Sequence, residues 1–267
     1  MLESKLEVCL LPMEIFWGDK KKNLETLSQY FSKIHPGTDL VILPETFSTG
    51  FPTNEMQQKI ESFAETKDEE TITLLKSLSK KHNCAIAGSF IYKNESSFLL
   101  NRSFFIQPDG SETYEAKKHL FSPGGENKIF KSGDKRLNVV YKGWKISMVV
   151  CYDLRFPVWC RNRNNEYDIL IVVANWPVSR IVTWDTLLKA RALENSAYVC
   201  GVNCRGIDNL GGDYNGSSHV FNYKGQELAV DVNNDGILYA GLSMQRLLNY
   251  RDKFPTWRDA DEFVFID

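Results

Sequence analysis

Short apolar runs, each about the length of one β-strand, recur along the 267 residues of this sequence. Continuous apolar runs of this length, bounded by polar turns, are typical of strands buried on both faces. The runs span residues 8–11, 40–43, 85–91, 103–106, 146–150, 169–174, 198–202 and 219–221. They predict a protein built around largely buried sheets.

Between these runs lie segments whose apolar residues recur at helical spacing. Three helices are predicted, over residues 23–34, 69–82 and 184–197. Alternation of strands and helices predicts layered α/β packing. Turn signals at 107–110 and 223–226 predict antiparallel neighbours, so the sheets should be mixed. No Pro- or Ser-rich linker divides the chain, which predicts a single domain over residues 1–267.

Composition narrows the classes of partner. The formal net charge is -2, from 32 basic and 34 acidic residues, which argues against nucleic acid or an anionic membrane as the main partner. Residues 1–7 lack the pattern of a signal peptide, and no apolar run approaches the length of a membrane span. The six cysteines lie mostly in apolar contexts, which predicts free thiols in a reducing cytoplasm. Cys200 and Cys204 lack further ligands at suitable spacing, so neither a metal nor another cofactor is predicted.

Cys151 follows one of the predicted strands directly and opens a polar turn. Ligand sites of α/β sheets lie just beyond the carboxyl ends of the strands. A thiol in that place can face a pocket as a nucleophile, or it can be an apolar core residue, since free cysteine is among the most buried residue types. From this residue alone both interpretations stay open.

Three charged residues are candidates for the same pocket. Glu45 is the first polar residue after the run 40–43 and Pro44, where it could be a general base or an exposed turn carboxylate. Lys117 lies in the polar stretch 114–121; an ammonium near a cysteine favours the thiolate and can neutralise an oxyanion, although a solvated charge run is the alternative. Glu126, within residues 124–128, is a weaker candidate.

The motifs around these residues resemble a known family. Leu-Pro-Glu-Thr-Phe at Glu45, Lys-Lys-His-Leu-Phe at Lys117 and Val-Cys-Tyr-Asp-Leu-Arg-Phe-Pro at Cys151 resemble the three catalytic motifs of the nitrilase superfamily. Segments 174–177, 188–195, 199–206 and 214–218 are also similar to that superfamily, so the resemblance covers nearly the whole chain in order. Ala-Asn-Trp-Pro and Gly-Val-Asn-Cys-Arg-Gly look most like its bacterial omega-amidase branch.

The resemblance implies a fold and a chemistry. The fold would be a four-layer α-β-β-α sandwich of two mixed sheets flanked by helices, and the reaction hydrolysis of a carbon–nitrogen bond. Glu45 matches the general base, Lys117 the oxyanion-stabilising cation, Cys151 the nucleophile and Glu126 an accessory carboxylate. Members of this superfamily commonly pair through their helical faces, so the resemblance also implies a homodimer.

One departure from the family pattern concerns the lysine. The usual tyrosine stands two positions before the lysine, whereas here Tyr114 stands three positions before Lys117. Lys118 could therefore enter the pocket instead, although the spacing to His119-Leu120-Phe121 favours Lys117.

The resemblance to omega-amidases implies a small ketoacid monoamide as substrate, such as 2-oxoglutaramate. Cys151 would form a thioester, with Lys117 and the backbone amide of Tyr152 holding the oxyanion. A substrate carboxylate at the far end calls for a cation. The candidates for substrate binding are the arginines nearest in sequence, together with one apolar wall: Arg155, Arg180 and Trp176. For Arg155, a structural ion pair with a neighbouring carboxylate is the favoured interpretation.

Other functions stay open from the sequence. The nearest alternatives are an amidase for deaminated glutathione or for another small aliphatic amide, and a nitrilase or carbamoylase would use the same catalytic set. A papain-like enzyme could pair Cys151 with His119 or His219, but neither histidine lies at the expected distance of about 130–150 residues after the cysteine. A scaffold or binding protein is the non-enzymatic alternative.

Overall fold

The computed structural model describes residues 5–52, 54–67 and 69–264, so residues 1–4 of the amino-terminal segment considered above lie outside it. Thirteen strands are described: β1 (Lys5–Leu10), β2 (Leu40–Ile42), β3 (Ala85–Lys93), β4 (Leu99–Ile106), β5 (Glu112–Ala116), β6 (Leu137–Tyr141), β7 (Trp144–Val150), β8 (Ile169–Ala174), β9 (Tyr198–Asn203), β10 (Arg205–Ile207), β11 (Asp213–Asn215), β12 (His219–Phe221) and β13 (Leu238–Ser243). The described α-helices are α1 (Lys20–Phe31), α2 (Asn54–Gln57), α3 (Glu70–His82), α4 (Pro157–Cys160), α5 (Ile181–Asn195) and α6 (Met244–Lys253). Among these helices none combines the length and the apolar character needed to cross a membrane.

The strands form two large sheets and one small ribbon. The first sheet has the order β13-β1-β2-β3-β4-β5, and the second has the order β12-β9-β8-β7-β6. In each sheet three central strands are parallel: β1, β2 and β3 in the first, and β7, β8 and β9 in the second. The outer strands pair antiparallel, so the prediction of mixed sheets is confirmed. Strands β10 and β11 make a separate antiparallel ribbon.

Three apolar cores separate the layers of the molecule. The central core lies between the two sheets and takes Val8, Ile42 and Ala87 from the first sheet together with Met148 and Val173 from the second. A second core lies between the first sheet and helices α1 and α3. A third lies between the second sheet and helix α5. The predicted α-β-β-α sandwich is therefore confirmed.

The apolar runs predicted the buried strands, but they missed the edge strands and three helices. Strand β5 is exposed at its first residue and half-buried at the others, and strand β6 is exposed at its second and fourth residues, so neither forms a continuous apolar run. The pattern likewise missed β10, β11 and β13 and the helices α2, α4 and α6. The first helix spans residues 20–31 rather than 23–34, because the Asp19 side chain accepts a hydrogen bond from the Lys22 amide (3.0 Å) and caps the earlier start. Helix α5 similarly begins at Ile181 rather than at Trp184.

A buried arginine ties helix α6 to the second sheet. Arg251 donates from Nη1 to Asp168 Oδ1 (2.7 Å), from Nη2 to the Tyr167 carbonyl (2.8 Å) and from Nε to the Ser196 carbonyl (2.8 Å). Both members of the ion pair are buried. Removing one member leaves the other charge without its partner, which typically costs about 3–5 kcal/mol.

We therefore expect Arg251→Ala to lower the free energy of unfolding by about 3–5 kcal/mol, measured by urea denaturation. Arg246→Ala removes an exposed arginine from the same helix and serves as the control, with an expected change within about 0.5 kcal/mol. Equal effects of the two variants would show that the buried pair contributes no more than a surface charge.

Candidate active site

Glu45 lies three residues after the end of strand β2, in a turn over residues 45–49, and is fully buried. Its Oε1 atom accepts hydrogen bonds from Lys117 Nζ (2.8 Å) and Asn101 Nδ2 (2.8 Å), and its Oε2 atom accepts from the Asn175 backbone amide (3.0 Å). The next residue, Thr46, has a φ of 41°, a left-handed conformation that turns the chain sharply after the strand. The carboxylate is therefore held by donors from both sheets.

Lys117 follows strand β5 directly and is buried. Its ammonium lies 2.8 Å from Glu45 Oε1 and 2.8 Å from Glu126 Oε2. Glu126 is buried as well; it accepts the Phe121 amide at Oε2 (2.6 Å) and Asn101 Nδ2 at Oε1 (3.1 Å). One buried cation is thus shared by two buried carboxylates. Lys118 contacts the Trp159 ring instead (5.8 Å), so the structure places Lys117, not Lys118, beside Glu45.

Cys151 sits at the sharp turn between strand β7 and the 3-10 turn Cys151–Arg155, with a φ of 48°. Asp153 stabilises this turn by accepting the Val150 amide at Oδ2 (3.0 Å), and Arg191 donates to the Leu154 carbonyl (2.7 Å). The side chain of Cys151 is half-buried, whereas the other five cysteines are buried. The negative charge of the Glu45 carboxylate acts on the Cys151 thiol. The turn therefore presents the sulfur beside a base.

The electrostatics of the cluster favour a neutral thiol at rest. Burial, together with the negative charge of Glu45, raises the pKa of the Cys151 thiol well above its usual value, although Lys117 acts in the opposite direction. Burial alone would lower the pKa of Lys117, but the Glu126 and Glu45 carboxylates outweigh it and hold that pKa well above the usual value. Burial raises the pKa of the Glu126 carboxyl. A thiol in this state needs a base before it can attack.

Two asparagines that the sequence analysis did not propose complete the cluster. Asn101, in strand β4, joins Glu45 to Glu126 through its Nδ2 atom. Asn175 follows strand β8 and donates from Nδ2 to the Glu45 carbonyl (3.0 Å) and to Thr46 Oγ1 (2.9 Å). Asn175 is the first polar residue after an apolar strand, the same signal that identified Glu45 and Cys151. Asn101 carries no such signal, because it lies inside a strand.

A cavity of about 420 Å³ lies beside the cluster. Of the candidates named from the sequence, six contribute to its wall: Lys117, Cys151, Tyr152, Arg155, Trp176 and Arg180. Glu45 and Glu126 do not line the cavity and lie behind Lys117 and Cys151. The wall also includes residues that were not predicted from the sequence, among them Phe51, Phe121, Asn175, Asp208 and Tyr214. Most of these come from loops that are distant in sequence.

The two arginines lie against aromatic rings rather than against carboxylates. Arg155 is 5.1 Å from the Trp176 ring centre, and Arg180 is 5.4 Å from that of Phe121. Neither forms an ion pair with any residue that the structure describes. The favoured interpretation of Arg155 as a structural ion-pair partner is therefore wrong; the side chain is exposed and faces the cavity.

Neither His119 nor His219, the two histidines considered as a possible base for Cys151, is placed for that role. His119 Nδ1 lies 2.8 Å from Asp153 Oδ1, and His219 lies between Asp185 and Glu227. Neither histidine lines the cavity. A papain-like Cys–His pair is therefore wrong for this chain. Within the described ranges no group of three or more His, Cys, Asp or Glu side chains could hold a metal ion.

The α-β-β-α sandwich, with a carboxylate, an ammonium and a thiol brought together beyond its strand ends, matches what the resemblance to the nitrilase superfamily implied. The model of the carbon–nitrogen hydrolase family matches residues 8–252, and the chain belongs to that family. It is accordingly an enzyme that hydrolyses carbon–nitrogen bonds other than peptide bonds.

Two relatives and one solved structure extend this assignment. The chain is 40% identical to omega-amidase YafV of Escherichia coli K12, over 97% of this chain and 98% of that protein. It is 27% identical to the 2-oxoglutaramate amidase of Bacillus subtilis, over 98% and 100% of the two chains. A carbon–nitrogen hydrolase superfamily protein of Xanthomonas campestris, solved with an arsenic adduct in its active site, is 36% identical with a TM-score of 0.91, over 98% and 99% of the chains. The resemblance identified from the sequence is confirmed.

Proposed function

We propose that this enzyme hydrolyses the terminal amide of small ketoacid monoamides, of the 2-oxoglutaramate type, to a carboxylate and ammonia. The observation that carries the proposal is the buried Glu45–Lys117–Glu126 cluster beside the half-buried Cys151. The cavity that Lys117 and Cys151 line also holds two arginines, and neither has an ion-pair partner among the residues that the structure describes. The similarity to omega-amidase YafV and to a 2-oxoglutaramate amidase supports this choice of substrate.

In the first half of the proposed reaction, the amide carbonyl lies between the thiol and the ammonium. Glu45 takes the thiol proton, and the Cys151 sulfur attacks the carbonyl carbon. Lys117 and the Tyr152 amide donate to the oxyanion; the first amides of a 3-10 turn have no partner within the turn, so the Tyr152 amide is available. Glu45 then gives its proton to the nitrogen, the carbon–nitrogen bond breaks and ammonia leaves a thioester on Cys151.

In the second half, water replaces ammonia. Glu45 takes a proton from the water, whose oxygen attacks the thioester carbonyl, and the same two donors hold the oxyanion. The carbon–sulfur bond breaks, the carboxylic acid leaves and the sulfur regains its proton from Glu45. Glu126 contributes by fixing Lys117: it accepts the ammonium at both oxygens, 3.0 Å and 2.8 Å away.

Arg155 and Arg180 are proposed to bind the carboxylate of the substrate, and Trp176 to form an apolar wall. Guanidinium groups bind carboxylates through paired hydrogen bonds. Trp176 is suited to the wall because its Nε1 atom donates to the Arg180 carbonyl (3.0 Å), which fixes the ring.

We expect Arg155→Ala and Arg180→Ala each to lower kcat/KM for 2-oxoglutaramate about tenfold, mainly through KM, because a charge-assisted hydrogen bond is worth about 1.5–3 kcal/mol and exposure weakens it. For valeramide, a neutral amide of the same chain length, kcat/KM should change less than about twofold. An equal loss on both amides would contradict carboxylate recognition by the arginines.

An amide panel tests the choice of substrate. We expect kcat/KM for ammonia release to be highest with 2-oxoglutaramate, lower with succinamate and lower still with deaminated glutathione. The cavity of about 420 Å³ lies within the ordinary range for small-molecule sites, so the assay rather than the volume separates these amides. A preference for deaminated glutathione would assign the alternative function, and equal rates on all three would exclude an omega-amidase specificity.

A homodimer is also proposed. Helix α5 exposes Val182 and Leu193, which are eleven residues, or about three turns, apart and so lie on one side of the helix. Val158 of helix α4 is exposed as well. Exposed apolar residues of this kind favour association through the helical face. Light scattering should give the mass of two chains.

A further inference from the structure

The proposed catalytic groups come from two different sheets. Glu45 and Lys117 follow strands β2 and β5 of the first sheet, whereas Cys151 follows strand β7 of the second. The separation between the Lys117 ammonium and the sulfur therefore depends on how the two sheets are held together at this edge. Catalysis is sensitive to such separations, since a misplacement of about 1 Å can cost about 100-fold in rate.

Lys117 is linked to the second sheet indirectly, through Glu45, whose Oε2 atom accepts the Asn175 amide (3.0 Å). The other contacts of Lys117 do not fix the separation between its ammonium and the sulfur. Its ammonium binds Glu45 and Glu126, and its backbone amide donates to the Asn101 carbonyl (2.9 Å). Its own carbonyl accepts the Gly133 amide (2.9 Å). All of these hydrogen bonds belong to the first sheet or to the loops that follow it.

A direct link joins the segment that carries Lys117 to the turn that carries Cys151, and it lies two residues after each of these residues. His119 and Asp153 are two positions after Lys117 and Cys151, respectively. Asp153 Oδ1 accepts the His119 backbone amide (2.8 Å) and lies 2.8 Å from His119 Nδ1. Its other oxygen accepts the Val150 amide at the end of strand β7 (3.0 Å). One carboxylate thus holds the lysine segment and the cysteine turn together.

Packing keeps this pair rigid. The His119 ring stacks on the Phe156 ring, with centres 3.7 Å apart and planes within 10°. The Trp159 ring meets it edge-on at 5.7 Å. Asp153 is buried and His119 is half-buried. Because His119 does not line the cavity, it has no access to the substrate.

We infer that His119 is a positioning residue, which acts through Asp153 to set the place of the Lys117 ammonium relative to the Cys151 sulfur. The inference rests on the proposed amide hydrolysis. The effect of His119 is confined to the steps that develop an oxyanion, because only those steps use the Lys117 ammonium as a donor. Attack of the thiol on a reagent without a carbonyl group does not need it.

Three substitutions at this position test the inference. His119→Ala removes the Nδ1 contact, and kcat should fall about 10- to 100-fold while KM changes less than about threefold. His119→Asn places an amide nitrogen as many bonds from Cβ as Nδ1, and it should restore kcat to within about threefold of the parent enzyme. In His119→Gln that nitrogen lies one bond further out, so rescue should fail. His219→Ala, at the other paired histidine, should leave kcat unchanged.

The second readout separates positioning from general loosening of the site. Methyl methanethiosulfonate reacts with the thiolate without forming an oxyanion. The rate constant of the Cys151 thiolate, which the pH profile separates from any shift in the thiol pKa, should stay within about twofold of the parent value in all three His119 variants. Retention of kcat in His119→Ala, equal kcat in His119→Asn and His119→Gln, or parallel loss of turnover and thiol reactivity would each overturn the inference. Failure of the parent enzyme to hydrolyse any amide would instead reject the proposed function.

Discussion

Replacing Cys151 with alanine is expected to abolish ammonia release from 2-oxoglutaramate, with a loss in kcat of at least about 10⁴-fold. The reason is that the sulfur forms the proposed covalent bond, and neither Glu45 nor Lys117 can supply another nucleophile. The fold should persist, because the substitution removes one half-buried atom at the edge of the cavity. The assay is continuous ammonia release, with the thermal unfolding midpoint measured on the same sample.

Cys84→Ala is the matched control for this experiment. Cys84 is a buried thiol whose pKa burial raises to about 12, and it does not line the cavity. Its removal should leave kcat within about twofold while lowering stability by about 1 kcal/mol, as small core deletions do. A decrease in kcat of clearly less than about 10⁴-fold in Cys151→Ala would show that another group attacks the amide.

Replacing Glu45 with glutamine is expected to lower kcat by about 10³- to 10⁴-fold, because the proposed base and acid of both half-reactions is lost. Glutamine can still accept from Lys117 and Asn101 through its single amide oxygen. Its amide nitrogen would face the Asn175 backbone amide, donor against donor, which costs about 1–3 kcal/mol. The measurement is again ammonia release at saturating amide, together with the unfolding free energy.

The thiol should remain reactive in Glu45→Gln, and more so at low pH. The negative charge of Glu45 raises the pKa of Cys151, whereas Lys117 lowers it. Without the carboxylate charge, the positive charge of Lys117 lowers the pKa of the Cys151 thiol. The pH profile of its reaction with methyl methanethiosulfonate should therefore shift to lower pH. Loss of thiol reactivity together with turnover would indicate that the substitution disrupts the site rather than removing a base.

Much of this site could be predicted from local sequence. Glu45 and Cys151 each follow an apolar run, and ligand sites lie beyond the carboxyl ends of such strands. The two residues follow strands of different sheets, which meet at this edge of the sandwich. The motif resemblance then placed Lys117 with them. The central strands were equally accessible, because strands buried on both faces give uninterrupted apolar runs.

The remaining features depend on contacts between segments far apart in the chain. Asn101 lies inside strand β4, and only the folded sheets bring it to both Glu45 and Glu126. No local pattern predicts that His119 pairs with Asp153 across the two sheets. The misjudged role of Arg155 has the same origin: whether a charged side chain finds a carboxylate or faces a cavity depends on neighbours that local sequence does not identify.

Partition of the product with hydroxylamine tests the central claim, that the amide is hydrolysed through a thioester on Cys151. A thioester reacts with water to give the acid and with hydroxylamine to give the hydroxamate. The ratio of these products does not depend on which leaving group was released when the thioester formed. The amide 2-oxoglutaramate and the corresponding methyl ester of 2-oxoglutarate should therefore give the same ratio of acid to hydroxamate at each hydroxylamine concentration. Different ratios from the two substrates would show that water attacks the bound substrate directly and would contradict the account.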